Sequence, residues 1–380
     1  MAAPGIEEMA RPGAGHQAET GPENQSVPGA GHGEAGGSYR EPGAGYRETA
    51  AEHLEAGAEH RDTGTGLRPL PDIRGQGARN LIGYGAHPPQ PGWPGGARLA
   101  LQFVLNVEEG AESSILNGDD RSEAYLHELP GRPARLGERD LSVEGMYEYG
   151  ARAGCWRLLE LFAERCLPLT AFAVGRALEL NPELARALAA AGHEVAGHGY
   201  RWLDYREIPE EEERRHLRLT IEVIADLCGR RPLGWYTGRV SHHSRRLLRE
   251  EGGFLYSSDA YNDDLPYWLP AEGDLPPHLV IPYTLVNNDA RYLFPHGLAC
   301  GDDFFHLLKD AFDQLWQEGE RHPKLMSVGL HGRISGHPAR ARALARFLDY
   351  AQGQEGVWIC RREEIARHWR VAHPAPLAEP

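Results

Sequence analysis

The chain is poor in cysteine, with Cys155, Cys166, Cys228, Cys300 and Cys360 as the only 5 among 380 residues and no CxxC pair among them. An odd number so widely spread excludes a disulfide-stapled scaffold and offers no structural zinc spacing, so the thiols are read as reduced core groups of a cytoplasmic protein. Long hydrophobic runs are also missing, which excludes a membrane-spanning helix. The opening MAAPGIEEMA has acids where a secretory leader carries a basic region followed by an apolar one. Positive charge is scarce: 40 Lys and Arg against 55 Asp and Glu give a formal net charge of −15, with no basic block. Nucleic acids and anionic membranes need a positive face, so both are excluded as partners and a small polar molecule is expected. No Gly-rich loop follows any predicted strand, which removes the usual phosphate-cradling sites.

Large apolar residues are sparse before residue 72. PGAGH recurs at Pro12 and Pro28 and PGAGY at Pro42, so residues 1–71 are read as a low-complexity tail with too little apolar surface to offset chain entropy. Its histidines, His16, His32, His53 and His60, are read as solvated. From residue 72 to 374 the pattern alternates strand and helix, and 375–380 form a short C-terminal tail. RLALQFVLN, LPLTAFAVG, HEVAGH, PLGWYTG, FLYSSD, LVIPYTL, KLMSVGLH and GVWIC read as strands. Between them lie amphipathic stretches with clear stops and starts. Asn181 and Pro182 open one helix, four glutamates from Glu210 open another, and Gly229 ends it. About seven such units predict an α/β fold, a distorted (β/α) barrel forming one catalytic domain over 72–374. An open doubly wound sheet is the alternative.

In parallel α/β folds the chemistry gathers beyond the C-terminal ends of the strands. Here those ends deliver Asn106, Glu108 and Glu109; His198; Arg239; Asp259; Asn287, Asn288 and Asp289; and His331 followed by Arg333. Each residue taken alone has an ordinary explanation, a turn, a cap or a solvated loop. Their convergence on one rim favours function for Glu108, Glu109, His198 and His331. Trp202 and Tyr236 are read as pocket wall.

One absence is specific. In AGHEVAGHGYRWLDY, His193 and His198 are too far out of phase on a strand to share an ion. His198 and position 202 have the spacing of a helical histidine pair, but position 202 is Trp202. An indole N–H offers a cation no lone pair, so no metal is expected.

The order VEEG (107–110), HGYRW (198–202), GWYTGR (234–239) and SVGLH (327–331) resembles the polysaccharide deacetylase, NodB-type family. That family carries a TFDDG strand end, an H-S-x-x-H metal motif, an arginine loop and a late x-L-H histidine. NLIGYGAHPPQPGWPGGARLA, FVLNVEEG, SVEGMYEYGARAGCWR, PLGWYTGR, GGFLYSSDAYNDDLPYW and RREEIARHWR are similar to its metal-independent branch, the PuuE-type allantoinases. The likeness spans residues 72–374. Val107, Gly197, Asn287 to Ala290 and Gly332 depart from that branch's pattern near the pocket. The resemblance implies hydrolysis of the hydantoin ring amide of allantoin to allantoate, in ureide catabolism, with no cofactor, by a homodimer or homotetramer. It implies Glu108 at the base position and Glu109 at a former metal-ligand position, with one of the pair as general base and its proton affinity raised by the other. His331 is then the acid for the leaving nitrogen, and His198 and Arg239 hold the carbonyl oxygens. Trp202 and Tyr236 form an apolar wall, and Asn106, Asp259 and Asn288 bind the ureide. The alternatives are a metal-dependent deacetylase of N-acetylated sugar polymers, a hydrolase of another cyclic ureide, and a non-catalytic binding protein.

Overall fold

A computed structural model describes residues 79–376. The expected tail at 1–71 lies outside the described residues, as does most of 375–380. Among the described residues nine strands run in chain order as β1 Leu99–Val107, β2 Thr170–Ala173, β3 Glu194–Gly197, β4 Gly234–Trp235, β5 Tyr256–Ser257, β6 Tyr267–Leu269, β7 His278–Val280, β8 Lys324–His331 and β9 Val357–Ile359. The helices are α1 Leu141–Tyr149, α2 Cys155–Ala163, α3 Gly175–Leu180, α4 Pro182–Ala190, α5 Glu210–Cys228, α6 Ser244–Glu251, α7 Gly301–Glu318, α8 Gly332–Ser335, α9 Pro338–Gln352 and α10 Arg362–Ala372.

Local chemistry accounts for several of these bounds. Every residue of β1, LALQFVLNV, is buried, as a central parallel strand covered on both faces requires. Asn181 accepts from the Leu184 N–H and Pro182 follows it at the start of α4. Gly229 stops α5 with a φ of 73°.

The strands form one sheet in the order β6-β7-β5-β4-β3-β2-β1-β8, with β9 added beside β1. All pairs are parallel except β6 with β7. The sheet curls into a half-barrel. Its edge strands are β6 and β8; β7 and β8 share no ladder, and the chain after β7 meets β8 through a single bridge, Asn288 to Gly329. The main core packs β1, β2 and β8 against α2, α4, α7 and α9, around Phe103, Phe162, Phe312 and Phe347.

The cysteines depart from expectation. Cys155 and Cys360 are buried, but Cys166 and Cys300 are exposed on the surface; thiols tolerate either environment, and sequence alone does not rank them. No helix among the described residues is long and apolar enough to cross a membrane.

Candidate active site

Strand register sets the site. Asn106 of β1 stands opposite Phe172 of β2 and His331 of β8, so neighbouring strands end at one level. Glu108 follows β1, His198 follows β3, and Arg333 lies in the turn after β8. Glu108 Oε1 is 3.1 Å from His198 Nε2 and 3.5 Å from His331 Nε2. Its Oε2 is 2.6 Å from Arg333 Nη2, off the line of a directed hydrogen bond, so this contact is an ion pair. All four side chains are at most 5 % exposed.

Their hydrogens follow from their partners. His198 Nδ1 lies 2.8 Å from the Tyr236 carbonyl, which can only accept, so Nδ1 carries hydrogen, and Nε2 faces Glu108. His331 Nδ1 is 2.6 Å from Asp289 Oδ1. Asp289 Oδ2 accepts the backbone N–H groups of His331 and Ser335, at 2.7 and 3.1 Å.

Charge then sorts the groups. Burial pushes the Glu108 carboxyl up, but the charges of Arg333 and His331 and the hydrogen bonds from His198 and His331 outweigh it and hold it well below the usual carboxylate range. Burial pulls His331 down, but Asp289 and Glu108 more than reverse this and bring it to about 9. At neutral pH the pair is a carboxylate facing an imidazolium.

A cavity of about 150 Å³ opens in front of them. Glu108, His198 and His331 line it together with Tyr125, Trp202 and Tyr236. The Tyr236 ring stacks on both Phe172 and His198, with centroids at 4.8 and 5.0 Å. Trp202 stacks on Tyr125 at 5.9 Å, and the Arg239 guanidinium lies over both rings. Tyr125 and Leu126, from the loop between β1 and α1, are part of its lining.

Of the residues expected to act, Glu108, His198, His331, Asn106, Trp202, Tyr236, Arg239 and Asn288 all line this cavity. Asn106 spends both Nδ2 hydrogens on Tyr283 and the Leu330 carbonyl, leaving its Oδ1 for a ligand. Asn288 commits Oδ1 to the Ala290 N–H and donates through Nδ2 to the Thr284 carbonyl.

Two residues do not line it. Glu109 turns away and accepts from the backbone N–H groups of Glu108 and Arg333, and burial pushes its carboxyl up. The expectation that a raised carboxyl faces the substrate is thus corrected, because the raised one is Glu109 and the one on the cavity is lowered. Asp259 binds the N–H groups of Thr237 and Gly238 and shapes the loop after β4 instead of meeting a ligand.

The structure adds Asp289, Arg333 and Tyr125. Asp289 is legible in the sequence only as one polar residue among three, and Arg333 only by its place beside His331.

A metal ion does not fit these residues. Among the described residues no three of His, Cys, Asp or Glu come together in a way that could hold one. The Arg333 guanidinium lies against Glu108 and over the Trp202 ring, and neither guanidinium nor indole ligates a cation.

The polysaccharide deacetylase family pattern matches residues 138–252, a span that includes His198 and Trp202 but neither Glu108 nor His331. A Schizosaccharomyces pombe protein carrying a polysaccharide deacetylase name is 39% identical over 317 residues, covering 78% of this chain and 98% of that protein. Two crystal structures, one of a Pseudomonas aeruginosa PAO1 protein also named for polysaccharide deacetylase and one of PuuE allantoinase, are each 55% identical, with a TM-score of 0.77, covering 78% of this chain and 99% of theirs. Near-complete coverage of relatives at these identities leaves one assignment: the chain belongs to the polysaccharide deacetylase family, hydrolases that act on C–N bonds.

Proposed function

We propose that the protein hydrolyses the ring amide of a hydantoin, with allantoin as substrate, using carboxylate and imidazole groups of its own chain. The observation that carries this reading is the small cavity of about 150 Å³ lined by an ionised carboxylate and an acidic imidazolium 3.5 Å apart. A single flat ring suits such a space between Trp202 and Tyr236, whereas a sugar polymer needs an open groove. The 55% identity to PuuE allantoinase supports the same substrate class.

The roles follow from position. Glu108 orients water and takes its proton as the oxygen attacks the ring carbonyl, a contribution on the order of 10²–10⁴ in rate. The carbonyl oxygen gathers negative charge and meets the Arg239 guanidinium, while His198, with Nδ1 on the Tyr236 carbonyl and Nε2 on Glu108, holds the base. The C–N bond breaks as His331 gives its Nε2 proton to the ring nitrogen, whose charge is eased by the carbonyl on its other side. One water is consumed and a ureido acid is formed. Glu108 returns its proton to His331 across the 3.5 Å between them.

The test is allantoin turnover by metal-stripped protein with metal content assayed in parallel. Turnover that survives stripping and falls about 10²-fold or more in Glu108→Gln and His331→Ala supports the reading. Indifference to every hydantoin, with release of acetate from an N-acetylated sugar oligomer, would overturn it.

A further inference from the structure

Arg333 stands behind the cavity wall, between the two acids that end β1. Its Nη2 is 2.6 Å from Glu108 Oε2 and its Nη1 is 3.6 Å from Glu109 Oε1. Aromatic faces close around it, with Cζ 4.5 Å from the Tyr147 ring centre and 5.1 Å from that of Trp202. Its Nε donates to the Leu126 carbonyl, in the loop between β1 and α1, at 3.2 Å. The turn that carries it is pressed against residues 150–154, a single π-helical turn between α1 and α2. A Cβ on Gly154 would lie 1.9 Å from the Gly332 carbonyl oxygen, and one on Gly150 would lie 2.7 Å from the Arg333 nitrogen. No side chain fits between these backbones, so the backbone that carries Arg333 is held in place.

We infer that Arg333 is the resident cation of this site, a positioning residue that sits between Glu108, Glu109 and the Trp202 face, cancels one charge of the acid pair and aims Glu108 at both imidazoles. This rests on the reading of Glu108 as the working carboxylate. The chemistry suits arginine more than lysine: a planar guanidinium stays charged when buried, spans two carboxylates and packs flat on aromatic rings. Glu108 also faces Glu109 next to it in the chain, His198 beyond β3, His331 of β8 with Asp289 behind it, and Tyr125 and Tyr147 from the β1–α1 loop and α1. Arg333 makes the shortest of the charged contacts among them.

The experiment follows the Glu108 carboxyl in the full-length chain labelled with ¹³C at glutamate Cδ, its signal assigned by loss in Glu108→Gln. Glu109→Gln and the double variant Arg333→Met/Glu109→Gln are compared, so that the added change is the cation alone. The Glu108 midpoint is expected to rise by about 1–3 pH units in the double variant and to stay low in Arg333→Lys, since a nearby opposite charge has an effect of that size. An equal midpoint with and without Arg333 overturns the proposal. The wild-type chain gives a second measurement should the double variant fail to fold. Added Zn²⁺ is expected to leave the Glu108 signal and the melting temperature unchanged, and saturable uptake of one ion per chain with a shift of that signal overturns the proposal. These signals are read without substrate, so the role of Arg333 stands or falls independently of allantoin turnover.

Discussion

Glu108 and Glu109 are neighbours of one chemical type, and the fold sends them in opposite directions. The chain leaves β1 at Val107 and turns at once, so one acid faces the cavity while the other meets the backbone N–H groups of Glu108 and Arg333. The sequence shows the pair but not its phase. His331 is similar: its place at a strand end is legible, whereas Asp289, which sets its proton affinity, lies 42 residues away and reaches it only through the sheet order. The pH dependence follows. His331 must be protonated to act as an acid, so kcat/KM should fall as pH rises through about 9. Asp289→Asn removes the main charge that raises His331, and the alkaline limb of the pH–rate profile should move down toward the ordinary histidine value of about 6.5. An unmoved limb would show that another group donates the proton. The same raised value contributes stability that is present in full below the unfolded value of about 6.5 and lost as pH rises through about 9. Urea midpoints at pH 6 and pH 10 should therefore differ less in Asp289→Asn than in the wild type.

At the level of elements, starts and stops are legible where one residue type carries them. Asn181, Pro182 and Gly229 bound their helices for local reasons that tertiary context does not override. The stretch ARAGCWRLLELFAERC reads as one helix, but its first part forms a π-helical turn and α2 begins only at Cys155. The cause is long-range, since the turn must bring Gly150 and Gly154 against residues 332 and 333. Short β6 and helix α1 leave little trace in the sequence, because three residues of YWL and the weakly amphipathic LSVEGMYEY give little periodicity. Two alanine substitutions separate these settings. Gly145 lies exposed in α1 with nothing within 4 Å of an added Cβ, so Gly145→Ala should stabilise the protein by about 0.5–1 kcal/mol. Gly154→Ala meets the Gly332 carbonyl and should cost about 3 kcal/mol or more. Chemical denaturation measures both, and equal effects would deny the close approach.

Across the whole molecule the sheet leaves its seam between β7 and β8 without a ladder, and a side chain from α10 ties it. Arg362, fully buried, donates to Gln102 of β1, Ser258 after β5, the Ile281 and Pro282 carbonyls after β7, and Ser327 of β8. Arg362→Met would leave these acceptors unpaired and should lower stability by at least about 3 kcal/mol, read from the urea midpoint. An unchanged midpoint would place the closure of the seam elsewhere. The alternation of strand and helix, the polar rim at the strand ends and the loss of the second histidine at Trp202 needed no coordinates, because periodicity, capping and donor chemistry are properties of neighbouring residues. The choice of Glu108 over Glu109, the support of His331 by Asp289, and the guanidinium between the acids arose only when β8 was laid beside β1 and met the chain that follows β7. Those contacts join residues as many as 224 positions apart, and their energies exist only at distances that the packed sheet imposes.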